Sequence, residues 1–559
     1  MHSIRTLSDR IWITSLATAS LTFPLTFSPK ILNPFNYGWL WSGGDISSSF
    51  SGWNYFRHAP FFQWPVSNNP LYGGNISQAI TFTDTPPLFA IPFKLLGLLT
   101  SQIFQFTGLQ VALSFFLIIY FSQKIFNSFN LSTLSGVLGS VLVSQAPFYL
   151  FRNQFEHYSL NLMWVAIASL YLYINEKSRR EDAKVDLKWW LLVFIALTWM
   201  PYLVIYVFIF LIPQIFEVLL KTKTIGLKIR FLINQTIYFL VVTLIGLTID
   251  GYWQNLGHSS ADGLGYYNAN LLSFLNPNSG GAQTWSRILP GIEVATDGQY
   301  EGFAYLGIGI IFLIIFNLCL KTRSSVKLLL VTFRRYRSLW ISTIVFGLWA
   351  TAGNFTVGRF TILKIDFPEI LVRSLSIFRS SGRFLIPIAY LITLFAIIVT
   401  SKNFGRKYAA ILIAGSLILT TFDQYPNSER IRERQSQNNT LTSAQSSIRE
   451  ILISKKIHNI VFVQPEMSAY DWKMHIIGQA SLLGIPVNDG FIARINQTKL
   501  AENILDSRNS VIEQELQPRY LYVLYPSFIS ENLEIVGLLR EKYGSVEYGD
   551  SLLIFGGTS

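Results

Sequence analysis

The chain has 559 residues and a mass of 63.6 kDa; 50% of the residues are apolar, 14% are charged and the mean hydropathy is +0.37. Such a chain has ample surface to bury, which excludes disorder, and its single cysteine, Cys319, excludes a disulfide scaffold. The net charge of +12 is uneven: residues 1–421 carry 31 Lys+Arg against 16 Asp+Glu, and residues 422–559 carry 13 against 16. A basic excess confined to the apolar part points to a polytopic membrane protein with positive-inside loops and away from nucleic-acid binding.

A spanning helix needs about 20 mostly apolar residues. The first run, 11–27, follows Arg5 and Arg10. Ala17-Thr18-Ala19 has the form of a signal-peptidase site, but the apolar core before it is very short, so a retained first crossing is expected. Further crossings are expected at 109–123, 132–150, 159–175, 231–248, 302–320, 338–352, 384–400 and 408–421. The long run 189–219 reads as a hairpin turning near Pro201, and 86–104 as a re-entrant or interfacial segment. This gives 11 crossings with the N-terminus inside. The inside segments, among them 321–337 (KTRSSVKLLLVTFRRYR), then hold 21 of the 31 basic residues. Loops 28–108, 249–301 and 353–383 fall outside.

Beyond residue 421 a polar linker (422–447) leads to residues 448–559. There, strand-like runs such as NIVFVQP and RYLYVLYP alternate with helix-like ones, as in a small α/β domain. The expected fold class is therefore mainly α: a transmembrane helical bundle with a C-terminal extracytoplasmic α/β domain.

No soluble-enzyme motif is present, and the six histidines do not cluster at metal-ligand spacing. Interest falls on ionisable groups in the outside loops. Asp45 opens DISSSFSGWNYFR, where Ile46, Phe50 and Trp53 recur at helical spacing, as in an interfacial amphipathic helix that Asp45 would cap. Asp84 precedes Pro86-Pro87, a helix-start signal that again suggests a cap. Glu301 lies at the mouth of a spanning helix. Arg152, Glu156 and His157 share a short loop, where Arg152 and Glu156 could simply pair. Arg359, Lys364, Arg373, Arg379 and Arg383 supply half of the outside basic residues. Positive charge on that side runs against the topology rule, and guanidinium forks match phosphate oxygens.

The early outside Asp, the juxtamembrane helices and the many later crossings resemble the GT-C glycosyltransferase superfamily. More closely, GGDISSSFSGW (43–53), TDTPPL (83–88), GLGYYNANLLSFLNPN (263–278), GQYEGFAYLG (298–307) and FRSSGRF (378–384) resemble a bacterial family of GT-C-like membrane proteins. The resemblance implies a multi-pass protein of the bacterial cytoplasmic membrane. It would transfer a sugar from a polyprenyl-phosphate donor to a glycan, lipid or protein acceptor at the outer face, with inversion. Its partners would be these substrates and membrane lipids, with no nucleic acid. It implies catalytic roles for Asp45, Glu301 and Asp84, and substrate binding by Arg152, His157, Asn270, Arg379 and Arg383. No cofactor is required, and a divalent metal is compatible with the scheme. The superfamily's adjacent acidic pair is absent, since Gly44 and Ile46 flank Asp45. The rival classes are a non-catalytic transporter or flippase for a lipid-linked glycan, and a scaffold. The scarcity of polar residues in 302–320 and 384–400 disfavours an ion-coupled carrier.

Overall fold

The computed structural model describes residues 2–557 apart from 75, 77–78, 156, 179–184, 256–262, 281–283 and 466–469, and the side chains of 2–9, 177–178, 254–255 and 373–375 are likewise left aside. Glu156 and the Arg5 and Arg373 side chains thus lie outside the described residues.

The apolar runs all fold as helices. In chain order they are α1 (His2–Thr26), α2 (Gly44–His58), α3 (Pro87–Leu96), α4 (Thr107–Ser128), α5 (Thr133–Ser144), α6 (Pro147–Gln154), α7 (Trp164–Ser178), α8 (Leu187–Trp199), α9 (Val204–Lys221), α10 (Ile225–Asp250), α11 (Ile308–Arg335) and α12 (Arg337–Ala350). A hairpin of β1 (Asn354–Val357) and β2 (Phe360–Lys364) and the short α13 (Glu369–Leu375) lead to α14 (Leu385–Asn403) and α15 (Arg406–Gln435). Local chemistry sets the ends. Ser132 caps α5 through its hydroxyl on the Ser135 N–H, and Gly251 closes α10 with φ of 72°, a conformation that suits glycine.

The number of spans departs from the sequence reading. Among the described residues five helices are long and apolar enough to cross a membrane, or six if the pair α5–α6, bent by 40°, is one broken span. Eleven were expected. Length accounts for part of the shortfall: α7, α8 and α12 have 15, 13 and 14 residues, short of a bilayer's thickness, while α1 and α15 have 25 and 30 residues but are not among the five. Apolarity alone does not separate a spanning helix from one buried against its neighbours. The segment at 86–104 is likewise short, with α3 and a following 3-10 turn ending at Leu99. The chain breaks at Met200–Pro201 between α8 and α9, as expected.

The expected linker is mostly helix. α15 runs on through Gln435, and Asp423, Gln424, Asn427, Ser428, Ile431 and Gln435 are buried on its inner side. Polar residues that look like a linker in sequence are here the hydrogen-bonding face of a packed helix.

The C-terminal region contains α16 (Ser443–Ser454), β3 (Asn459–Val463), α17 (Asp471–Leu483), α18 (Gln497–Ile512), β4 (Tyr520–Leu524), α19 (Pro526–Glu531), α20 (Leu533–Lys542), β5 (Ser545–Tyr548) and β6 (Ser551–Phe555). Its sheet order is β3-β4-β6-β5, with β3 and β4 parallel and the other pairs antiparallel. This region does not build its core alone. Tyr55, Tyr72, Ile76, Ala79 and Phe82 join Ile460, Phe462, Trp472 and Ile476 in one apolar cluster. The backbone is shared as well: Gly74 N–H donates to the Val487 carbonyl at 3.1 Å, and Ala493 N–H to that of Phe82 at 2.7 Å.

That sharing corrects the reading of α2. It does not lie in the interface but is buried between two cores. Ile46, Phe50, Trp53 and Phe56 enter the main helical core, while Tyr55 enters the C-terminal one. A helix apolar on several faces is buried rather than interfacial.

Candidate functional site

A cavity of about 370 Å³ opens at one end of the helical bundle. Its wall takes Asp45, Asp84, His157, Glu301, Arg379 and Arg383 from five separate stretches of the chain, together with Tyr202, Tyr267 and Tyr300. Of the eight residues singled out in sequence, six therefore line one space. Arg152 stands directly behind it, and Asn270 does not line it.

At the centre is a buried charge triad. Arg152 NH1 lies 2.7 Å from Glu301 Oε2, and Arg152 NH2 donates to the Glu301 carbonyl at 2.9 Å. From the other side Arg383 forks onto the same carboxylate, with Nε donating to Oε2 at 2.8 Å and NH2 to Oε1. The glycines of the two sequence strings permit this approach. A Cβ on Gly382 would stand 2.7 Å from the Gly302 Cα and amide nitrogen, so the two backbones meet with no side chain between them. Burial alone would raise the Glu301 carboxyl, but Arg383 and Arg152 overcome it and hold the group well below the usual carboxylate range. Two guanidiniums share one carboxylate, which leaves one positive charge at the wall. The Arg383 guanidinium also sits 5.0 Å from the centre of the Tyr202 ring.

Arg379 and Arg383 are not on one helix. Arg379 lies in the break between two 3-10 turns, Ser376–Phe378 and Ser381–Phe384, and Arg383 lies in the second. Both still face the cavity. Arg379 is exposed, stacks 5.7 Å from the Tyr267 ring and, among the described residues, has no carboxylate within ion-pair distance.

Neither aspartate is the N-cap expected; Asp84 instead closes the 3-10 turn Ile80–Thr83 as its C-cap. The N-cap of α2 is Gly43, with no side-chain capping bond, and that of α3 is Pro86, again with none. Asp45 instead projects from the first turn of α2, 57% exposed, with Oδ2 at 3.4 Å from His157 Nε2. Arg152 NH1 lies 3.3 Å from His157 Nδ1. A guanidinium has no acceptor, so Nδ1 must accept and Nε2 carries the proton toward Asp45. Burial, helped by Arg152, lowers His157 to about 4, so the ring is neutral near pH 7. Asp84 occupies the left-handed region at φ 56°, ψ 22°, a costly place for a non-glycine residue that is concentrated at functional sites. Burial first, and then the nearby Asp45, raise its carboxyl to about 7, against the pull of Arg383 and Arg379.

Asn270 has a different task from the substrate contact expected. It is buried, and its amide donates to Gln299 Oε1 (3.0 Å), Thr356 Oγ1 (3.1 Å) and the Gly358 carbonyl (2.8 Å). It clamps the loops behind Glu301. The sequence reading missed Arg494, which the C-terminal region adds to the cavity wall; its NH2 donates to the Ile377 carbonyl at 3.2 Å. No local pattern marks it. Tyr267, by contrast, lies inside the noted string GLGYYNAN. Among the described residues no group of three or more His, Cys, Asp or Glu side chains is placed to hold a metal ion.

Residues 16–425 match the family described as "Domain of unknown function (DUF6311)". The chain belongs to that family. No curated protein matches it. Among solved structures it is similar to the Archaeoglobus fulgidus oligosaccharyltransferase complex with Zn and sulfate, at 11% identity and a TM-score of 0.39, over 93% of this chain and 68% of that one.

Proposed function

We propose that this family member is a membrane glycosyltransferase that uses a polyprenyl-phosphate-linked sugar and an acceptor hydroxyl at the outer face of the cytoplasmic membrane. The observation that carries this reading is the pairing, across one cavity, of a wall with surplus guanidinium charge and a wall with two carboxylates. Arg379 and Arg383 suit a lipid-anchored phosphate, and their charge stabilises it as it leaves. The bond from the anomeric carbon to the phosphate oxygen breaks as the acceptor oxygen bonds to that carbon from the opposite side. The acceptor proton passes to a carboxylate, and configuration inverts. Asp45 and Asp84 are the bases available, because Glu301, clamped by two arginines, is a poor proton acceptor and serves to hold the Arg383 fork. A base tuned close to 7, as Asp84 is, matches neutral conditions.

The test is paired. Native mass spectrometry of the detergent-solubilised protein should detect a bound polyprenyl phosphate that Arg379→Ala and Arg383→Lys weaken. Glycan profiles of a deletion strain should lack a product that wild type restores and the double variant Asp45→Asn/Asp84→Asn does not. Full complementation by that double variant would rule out carboxylate-assisted transfer and favour a transport or scaffold role.

A further inference from the structure

A second chamber of about 590 Å³ lies on the far side of the two aspartates. One wall is the segment Trp41–Ser48; the other comes from the C-terminal region, with Gln445, Asp471, Met474 and His475. Asp45, Phe82, Asp84 and Ala493 line both chambers and so form the partition between them. The two spaces differ in charge. The first sets Arg379, Arg383 and Arg494 against Asp45, Asp84 and Glu301. The second has three aspartates, Asp45, Asp84 and Asp471, and neither Lys nor Arg among its described lining residues.

We infer that this second chamber is the acceptor subsite and that it takes a hydroxyl-bearing, non-anionic glycan, neutral or amino-substituted. This rests on the transferase reading above. Carboxylates suit sugar hydroxyls. A phosphate- or uronate-bearing acceptor would meet the carboxylates of Asp45 and Asp471, with neither Lys nor Arg in the chamber's described lining. The polar wall near α2 is left open by Gly43 and Gly44, where an added Cβ would meet nothing within 4 Å. An acceptor seated there presents its hydroxyl to Asp45 or Asp84, with the donor phosphate held behind them. The C-terminal region is thereby a wall of the site, which accounts for its shared core with residues 55–82.

The experiment uses the full chain in the deletion strain, with polyprenyl-phosphate binding measured on the purified protein. Asp471 is exposed at the start of α17, so Asp471→Lys should fold; Met474→Trp fills the space instead. Both should keep polyprenyl-phosphate affinity within about twofold and lose at least tenfold of the glycan product, while Asp471→Glu restores it. The acceptor portion of that product, read by mass spectrometry, should carry no phosphate or uronate. Wild-type product levels from both Asp471→Lys and Met474→Trp would overturn the chamber while leaving the transferase reading intact. An anionic acceptor portion would overturn the ligand class. Unchanged glycans in the deletion strain would instead overturn the transferase reading, and this inference with it.

Discussion

Among the described residues two ion-paired clusters are buried, and they are built differently. In the C-terminal region Lys473 and Asp489 pair at 2.7 Å with 0% and 1% side-chain exposure, Tyr525 donates its hydroxyl to the same carboxylate, and Lys473 Nζ sits 4.9 Å from the Phe491 ring centre. One cation meets one anion, and neither lines a cavity described above. At the mouth of the bundle two guanidiniums meet one carboxylate, and the outer one, Arg383, lines an open cavity at 15% exposure. The first arrangement is neutral and closed, and its work is to fix α17 against the loop that carries Asp489. The second is unbalanced and open, and its surplus charge is directed at whatever enters. Balance and access, rather than burial, distinguish a structural ion pair from a site.

The largest effect should come from splitting each cluster. Glu301→Gln strands two buried guanidiniums, and Lys473→Met strands Asp489. Each should cost about 3–5 kcal/mol of stability, read as a fall in thermal midpoint in detergent. The comparison sharpens when the carboxylate and one cation are removed from each, which empties the closed pair and leaves Arg152 in the open one. Lys473→Met with Asp489→Leu should return stability close to wild type and leave polyprenyl-phosphate binding unchanged. Arg383→Met with Glu301→Leu should abolish that binding. If the second pair of changes leaves anion binding intact, the open cluster is structural too.

Gly382→Ala comes next. Its Cβ would meet the Gly302 backbone at 2.7 Å, so the loops must separate, at a cost of about 1–3 kcal/mol together with loss of the Arg383 fork. Arg383→Lys keeps the charge but not the fork. Polyprenyl-phosphate affinity should fall roughly tenfold, which is about 1.4 kcal/mol, with little change in thermal midpoint.

A pH dependence completes the comparison. Asp84 is raised to about 7 in the folded chain, above its unfolded value of ~3.9, so the native state holds the extra proton. Its contribution to stability therefore falls as pH rises from about 4 to about 7 and is flat beyond. Over the upper part of that window the newly ionised carboxylate also offsets Arg379 and Arg383, so anion affinity should weaken. Asp84→Asn should remove both slopes, leaving only the titration of the probe itself.

Much of the arrangement was legible in the sequence, because charge against an apolar background is conspicuous. Asp45, Asp84, Glu301, Arg379 and Arg383 stood out for that reason, and the alternating runs after residue 448 announced the α/β region. What was hidden depends on long-range contact. Nothing near Tyr55 or Tyr72 signals that they complete a core some 400 residues away. Arg494 is an ordinary loop arginine until the C-terminal region is docked on the bundle. The cap reading of Asp45 and Asp84 failed because glycines at 43 and 44, and Pro86, take over the helix starts and free the carboxylates to face the cavity. Asn270 sits in a string shared with the family resemblance, yet its amide is consumed in holding loops together. A sequence string marks that a residue matters without saying whether it touches a substrate or supports one that does.

The most direct measurement is an electron-density map of the full chain with a polyprenyl phosphate bound. The account predicts phosphate density within hydrogen-bond reach of Arg379 and Arg383, on the opposite side of Asp45 and Asp84 from Asp471 and His475. Phosphate seated in the acidic chamber, or remote from both arginines, would contradict it.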